Sequence, residues 1–420
     1  MRVGTAQAPL HGGRCPPWLF QRMKTLARAV SVHIIEHGGR GELLRRISDP
    51  LWFHAFGCVL GFDWNSSGLT TTVCGALKEG LAPAARELGV CVCGGKGGVS
   101  RRTPAEIAGF CELTGQDGEQ LAQASRMAAK VDSACVQDGY QLYHHAFIFS
   151  VQNEWAVVQQ GMCEADSTAR RYHWLGDERE LAQLRAALAG QTRPGGQQLA
   201  LDFAQDARQS PAASEPPRAE AAAMAGRQFS APDSAAKSFV CEPHAAVAAQ
   251  QPAAAPVLNL VAGEAEDNRA ASVTATGLAP SALLKELSRL PQDALVLPRR
   301  HDLRPQDVAP GRLERILLRT YERQPGTYEA LVALPGVGAK TLRALSLVAE
   351  VIYGRPASFR DPARFAYAHG GKDGHPYPVD RAVYDQVIRQ LGETVSKARV
   401  AHSEKSSALK RLAEWGRAAG

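Results

Sequence analysis

Apolar residues recur at helical spacing over residues 17–37, where Leu19, Met23, Leu26, Val30 and Ile34 share one face. Gly38-Gly39 then supplies a C-terminal stop. Asp49-Pro50 joins a cap residue to proline at the first helical position and predicts a short helix carrying Trp52, Phe53 and Phe56. CVLGFDW and LTTTV flank Asn65-Ser66-Ser67-Gly68, a pattern that predicts a β-hairpin. A helix near 75–88 leads into a short strand, VCVC at 90–93. Thr103-Pro104-Ala105-Glu106 is a capping box and marks another helix start. YQLYHHAFIFSV and EWAVVQQG form a second hairpin turning near Gln152-Asn153. Residues 1–190 are thus expected to form a mixed α/β domain of the α+β class.

The pattern changes near residue 190. From about Gly195 to Pro280 the chain is Ala, Pro, Gln and Ser, as in PAASEPPRAEAAAMAG, with few large apolar side chains to offset ordering entropy. Residues 191–280 are therefore expected to be a disordered linker. Its one apolar cluster, Leu199, Leu201 and Phe203 in QQLALDF, is read as part of the tether rather than as a docking peptide. Residues 281–420 are expected to be an all-α domain punctuated by Pro and Gly. No internal repeat is visible.

Composition narrows the class. With 45% hydrophobic and 21% charged residues the chain is globular rather than fibrous or wholly disordered. No run approaches the roughly 18 apolar residues of a membrane span, and the first residues lack the apolar core of a secretory signal. Nine cysteines without CxxC spacing suggest neither a disulfide framework nor a zinc site, so a reducing cytoplasm is the expected location. The net charge of +6 is unevenly placed: residues 281–420 carry a surplus of 8 positive charges, and the rest an excess of 2 negative ones. An anionic partner is expected at the C-terminal third.

LVALPGVGAKTLRALSLVAEVIYG, residues 331–354, is the most informative stretch. Two helices, the first entered at Thr327, are joined by Pro335-Gly336-Val337-Gly338. The glycines bring bare backbone close to a partner, at a helix N-terminus whose N–H groups favour a phosphate oxygen. Val337 anchors the turn, while Lys340, Thr341 and Arg343 are candidates for further backbone contacts. The stretch resembles the helix-hairpin-helix module, which implies sequence-independent binding of the DNA backbone. Arg299, Arg300, Arg304, Arg312, Arg315, Arg319 and Arg323 suit such phosphate contacts.

Helix-hairpin-helix DNA glycosylases are similar here. That resemblance implies Lys340 as a reactive amine and Asp380, in Pro378-Val379-Asp380, as the charge-stabilising acid. This chain departs from it by a gap of 40 residues between the two, about twice the usual, and by having no cysteine after Cys241 for a C-terminal four-cysteine cluster.

Further phrases in the first 190 residues are crowded with glycine and polar residues: SDPLWFHAFGCVLGFDWNSSGLTTT, GALKEGL, GGKGGVSRRTPAEI, QDGYQLYHHAFI, WAVVQQGM and ARRYHW. With LPGVGAKTLRAL and AHGGKDGHPYPVDR, the chain resembles domain-of-unknown-function family 763 of bacteria and archaea. The resemblance implies DNA processing and nuclease action. GGKGGVSRR offers open amides and Lys96, but GxxxxGK[ST] is absent, so ATP is not expected. Neither a nicotinamide nor an iron–sulfur cofactor is expected.

A metal-dependent nuclease needs acids converging on Mg2+ or Mn2+, with a cation beside them. The candidates are Asp63, Glu79, Lys96, Asp138 and His144, with Asp63 and Asp138 as the metal ligands and His144 sharing strand parity with Asp138. Arg170 and Arg171 are candidate phosphate contacts. The leading expectation is a DNA nuclease, followed by a non-catalytic DNA-binding protein and then a glycosylase. Self-association is left open.

Overall fold

The structure, a computed structural model, describes residues 15–62, 68–163, 168–189, 238–249, 256–288, 312–363 and 381–418. It begins with four helices, α1 (Pro17–Gly38), α2 (Arg40–Ser48), α3 (Pro50–Leu60) and α4 (Gly68–Leu81), and a short α5 (Ala85–Leu88). Asp49 caps α3 by accepting from the Leu51 and Trp52 amides, as its place before Pro50 suggests. The hairpin expected over residues 58–73 is not formed, because its first arm begins inside α3 and its second lies within α4. Leu69, Val73 and Leu77 recur at helical spacing and are all buried, and this burial outweighs the strand preference of Thr70, Thr71 and Thr72.

Next come β1 (Val90–Lys96), α6 (Thr103–Thr114), α7 (Gly118–Lys130), β2 (Val136–Gln137), β3 (Gln141–Ser150), β4 (Trp155–Cys163), β5 (Thr168–Gly176) and α8 (Glu178–Ala189). The β3–β4 hairpin forms as expected and turns through Asn153, whose φ of 60° lies in the left-handed region that asparagine tolerates. β6 (His244–Ala249), β7 (Leu258–Asn259), α9 (Glu266–Ala275) and α10 (Pro280–Ser288) follow. The chain then runs through α11 (Arg312–Arg323), α12 (Tyr328–Ala333), α13 (Ala339–Tyr353), α14 (Arg381–Lys397) and α15 (His402–Ala418).

The main sheet is antiparallel, in the order β1-β3-β4-β5-β6. Strand alternation sends Phe147, Phe149, Trp155, Val157, Tyr172 and Trp174 to one face, and Ala146, Ile148, Ala156 and Val158 to the other. The first face packs on α6–α8 and on α9–α13, and the second on α1–α4. Both faces are therefore dry.

Two expectations change here. Within the expected linker, β6 forms the sheet's last strand, β7 pairs with β2, and Phe239 and Val240 are buried. Arg269 of α9 donates to the Leu260 and Ala262 carbonyls at 2.9 and 2.7 Å, and Asn268 donates to the Ser346 and Arg355 carbonyls. Alanine-rich HAAVAA suits a strand whose stabilisation comes from backbone pairing under a crowded layer. QQLALDF lies outside the described residues. Nor do the C-terminal helices stand apart. Leu331, Val337 and Leu345 share the first core, while Val387, Leu391, Val395, Ala408 and Leu412 share the second with α1–α4.

Candidate functional site

Two places gather the chemistry. The first is the turn between α12 and α13. Thr327 caps α12, its hydroxyl accepting from the Ala330 amide at 3.1 Å. Leu334-Pro335-Gly336-Val337-Gly338 reverses the chain, with the Val337 amide donating to the Leu334 carbonyl at 3.3 Å. Val337 is buried and seats the turn in the core, while Pro335 and Gly336 are exposed. Gly336 has φ of +91°, a conformation that L side chains rarely adopt. Gly338 is extended, at φ −150° and ψ −170°, with open space where a Cβ would stand. Its place in the turn reflects that opening rather than backbone strain.

α13 begins at this turn with Gly338 as its N-cap residue, which offers no side-chain cap, so its first amides have no intrahelical partner. Beside them runs α11, where Arg315, Arg319 and Arg323 recur every fourth residue and are all exposed. The Arg319 guanidinium comes within 3.7 Å of the Cβ position of Gly336. Two groups brace the turn from behind: Lys130 Nζ donates to the Leu334 carbonyl at 2.6 Å, and Gln137 Nε2 to the Ala339 carbonyl at 2.9 Å. Burial pulls the Lys130 ammonium down to about 8.

Lys340 is exposed at the start of α13. Thr341 and Arg343, expected beside it, are not available to a ligand. Both are buried, because α13 is covered on every side from Thr341 to Ala349, and Arg343 lies 5.6 Å over the Phe359 ring. Asp380, Arg299, Arg300 and Arg304 lie outside the described residues.

The second place is the sheet. The two expected phosphate contacts on β5 are corrected: Arg170 and Arg171 are buried, and alternation points them to opposite faces. Arg170 donates to Asp138 at 3.1 Å and, with both terminal nitrogens, to Asp361 at 2.9 Å. Asp138 also accepts from the Tyr172 hydroxyl at 2.6 Å and the Tyr140 amide at 3.0 Å. It is a member of a closed buried network, not an open metal ligand. Burial and the neighbouring Asp138 carboxylate raise the Tyr172 phenol.

A chain of polar contacts continues on that face. Asp132 accepts from Trp174 at 2.9 Å, from His244 at 2.5 Å and from Gln159. Gln159 in turn meets His145, which reaches Ser125 at 2.8 Å. Burial holds His145 down at about 4. Asp132 stands with Asp138 among the acids that precede the second hairpin in sequence, but nothing in the pattern singles out His244 or pairs the two. The link between them joins α7's exit to a segment 112 residues later.

His144 faces the other side. The expected pairing with Asp138 therefore fails, since the acid belongs to the network on the first face. Glu79 is also elsewhere, exposed on α4 and paired with Lys24 at 3.1 Å. Asp63 lies outside the described residues. Of the expected catalytic set, the structure brings together Lys96 and His144, directly opposite in the β1–β3 ladder. His144 is 2% exposed, and among the described residues neither ring nitrogen has a hydrogen-bond partner. Burial, His145 and Lys96 depress it to about 3, which keeps the imidazole neutral. Tyr143, whose hydroxyl accepts from Gln160 at 2.7 Å, lies beside Lys96, and burial pushes its phenol up to about 12.

The glycine loop after β1 is partly occupied by the protein itself. The Gly94 amide donates to Glu106 at 2.7 Å, and its carbonyl accepts from Lys78 at 2.8 Å. A Cβ there would stand 2.2 Å from the His145 carbonyl oxygen. Gly97 and Gly98 remain exposed, with open space around them.

Among the described residues no helix is long and apolar enough to cross a membrane. No curated protein and no solved structure matches the chain. One family model does, that of a protein of unknown function (DUF763), over residues 4–213 and 219–379. With most of its length matched, the alanine- and proline-rich stretch included except for residues 214–218, the chain belongs to the DUF763 family.

Proposed function

We propose that the protein binds the DNA backbone without sequence preference, through a helix-hairpin-helix formed by α12, the Leu334–Gly338 turn and α13. The observation that carries this reading is the convergence of uncapped α13 amides, the exposed Gly336 backbone and Arg319 on one open surface. Amides at a helix start bind phosphate oxygen, and a neighbouring guanidinium adds charge without reading bases. Arg315 and Arg323 extend the same positive stripe along α11.

Fluorescence anisotropy of the full chain with duplex DNA tests this. Binding should weaken steeply with salt, and Arg319→Ala should lower the slope of log K against log salt by about 1. Gly336→Val should remove most of the binding while circular dichroism stays unchanged. Salt-insensitive binding, or full affinity in both variants, overturns the proposal.

A second reading, phosphodiester cleavage, rests on Lys96 beside His144, a neutral imidazole with both nitrogens unused among the described residues. Nicking of supercoiled plasmid in Mg2+ or Mn2+ but not in EDTA, lost in His144→Ala, supports it. No nicking under any metal refutes it. The glycosylase reading keeps Lys340 as its amine, and EDTA-resistant cleavage confined to damaged DNA would favour it.

A further inference from the structure

Among the described residues, His33, Glu36 and His37 on α1 form a group of metal-ligating side chains outside both places described above. Their ligand atoms all lie within 4.8 Å of one another. The spacing explains it: residues three and four apart on a helix stand on one face. His37 Nδ1 meets the His33 carbonyl oxygen at 2.8 Å, a contact that makes Nδ1 the donor and leaves Nε2 as an unprotonated ligand. The three side chains line a cleft of about 550 Å3 between α1 and the end of α14, whose wall also carries Arg28, Lys397 and Arg399.

Two imidazoles and a carboxylate suit a borderline first-row divalent ion rather than Mg2+, which prefers oxygen ligands. Three protein ligands leave coordination positions open. Cations on the cleft wall oppose a bare metal but favour one that carries an anion. We propose that His33, Glu36 and His37 bind Zn2+ or a related first-row ion, whose coordination is completed by an oxyanion held by Lys397 and Arg399. This inference is independent of the DNA-binding reading.

Co2+ titration of the full chain, read by visible absorption, tests it, with Zn2+ displacing the Co2+. One equivalent should bind. His33→Ala and His37→Ala should each weaken binding by about tenfold or more, and Glu36→Gln by less. These side chains are at least partly exposed, so circular dichroism should stay unchanged. Inorganic phosphate should alter the Co2+ spectrum, and Lys397→Ala/Arg399→Ala should abolish that response. Undiminished binding in His33→Ala/His37→Ala, a thiolate charge-transfer band, or no saturable binding overturns the metal site. A spectrum indifferent to phosphate overturns the oxyanion.

Discussion

Asp138→Asn separates a structural carboxylate from a catalytic one. Asp138 and Arg170 are both fully buried, and the acid accepts three hydrogen bonds, from Arg170, Tyr172 and Tyr140. The amide keeps the shape and an acceptor oxygen, but it removes the charge and turns an N–H group towards partners that donate. Breaking a buried ion pair by removing one member costs about 3–5 kcal/mol. Arg170 keeps its two bonds to Asp361, so the charge is not orphaned, and the low end of that range applies. The lost bond to Tyr172 or Tyr140 adds part of the roughly 1 kcal/mol typical of one hydrogen bond, giving about 3–4 kcal/mol in all. Urea unfolding followed by far-ultraviolet circular dichroism should show the midpoint falling accordingly at constant slope. A loss below about 1 kcal/mol would refute the reasoning, because a closed buried network does not surrender a charge so cheaply. Loss of any nuclease activity at unchanged stability would restore Asp138 as a metal ligand.

Two further outcomes follow from titration. His144 and His145 are held at about 3 and about 4, below the ordinary 6.5, so the unfolded chain binds more protons between those values and 6.5. Stability should be lost as pH falls below about 6.5, and His144→Leu should flatten that decline while keeping or raising stability at pH 7; an unchanged pH profile in urea unfolding counts against it. Lys130, held at about 8, should make stability rise from pH 8 towards 10.5, and Lys130→Met should remove that component, to be read as the difference between the two urea profiles. By freeing the Leu334 carbonyl, the same variant should also weaken DNA binding in the anisotropy assay.

Local signals made much of the fold legible. Asp49-Pro50 announced α3, Asn153 the β3–β4 turn, and the glycine stop the end of α1. What stayed hidden was decided by distant partners. TTTV reads as strand by propensity, yet α4 gains more by burying Leu69, Val73 and Leu77. HAAVAA reads as tether, since nothing local shows that β5 needs a neighbour. Arg170-Arg171 reads as a surface pair, because only knowledge that both sheet faces are covered sends the two side chains inward. The turn at Gly336 was legible because its chemistry is contiguous in sequence. The Lys96–His144 pair was legible only as two candidates, since their meeting depends on strand register.

β6 also bears on how the chain must be made. The strand that covers β5 is synthesised after a stretch of more than 50 residues, and the helices that complete the second core come last. A nascent chain ending at Ala189 has four of the five strands of its main sheet but leaves the outer edge of β5 unpaired, with Phe147, Trp155 and Trp174 lacking part of their cover. Unpaired edges and bare aromatic surface are what draw chains together. Emergence from the ribosome is therefore the protein's most vulnerable period, and fragments cut at the apparent linker should precipitate, although the whole chain folds. A stop codon after residue 189 would thus yield insoluble material rather than a free-standing domain.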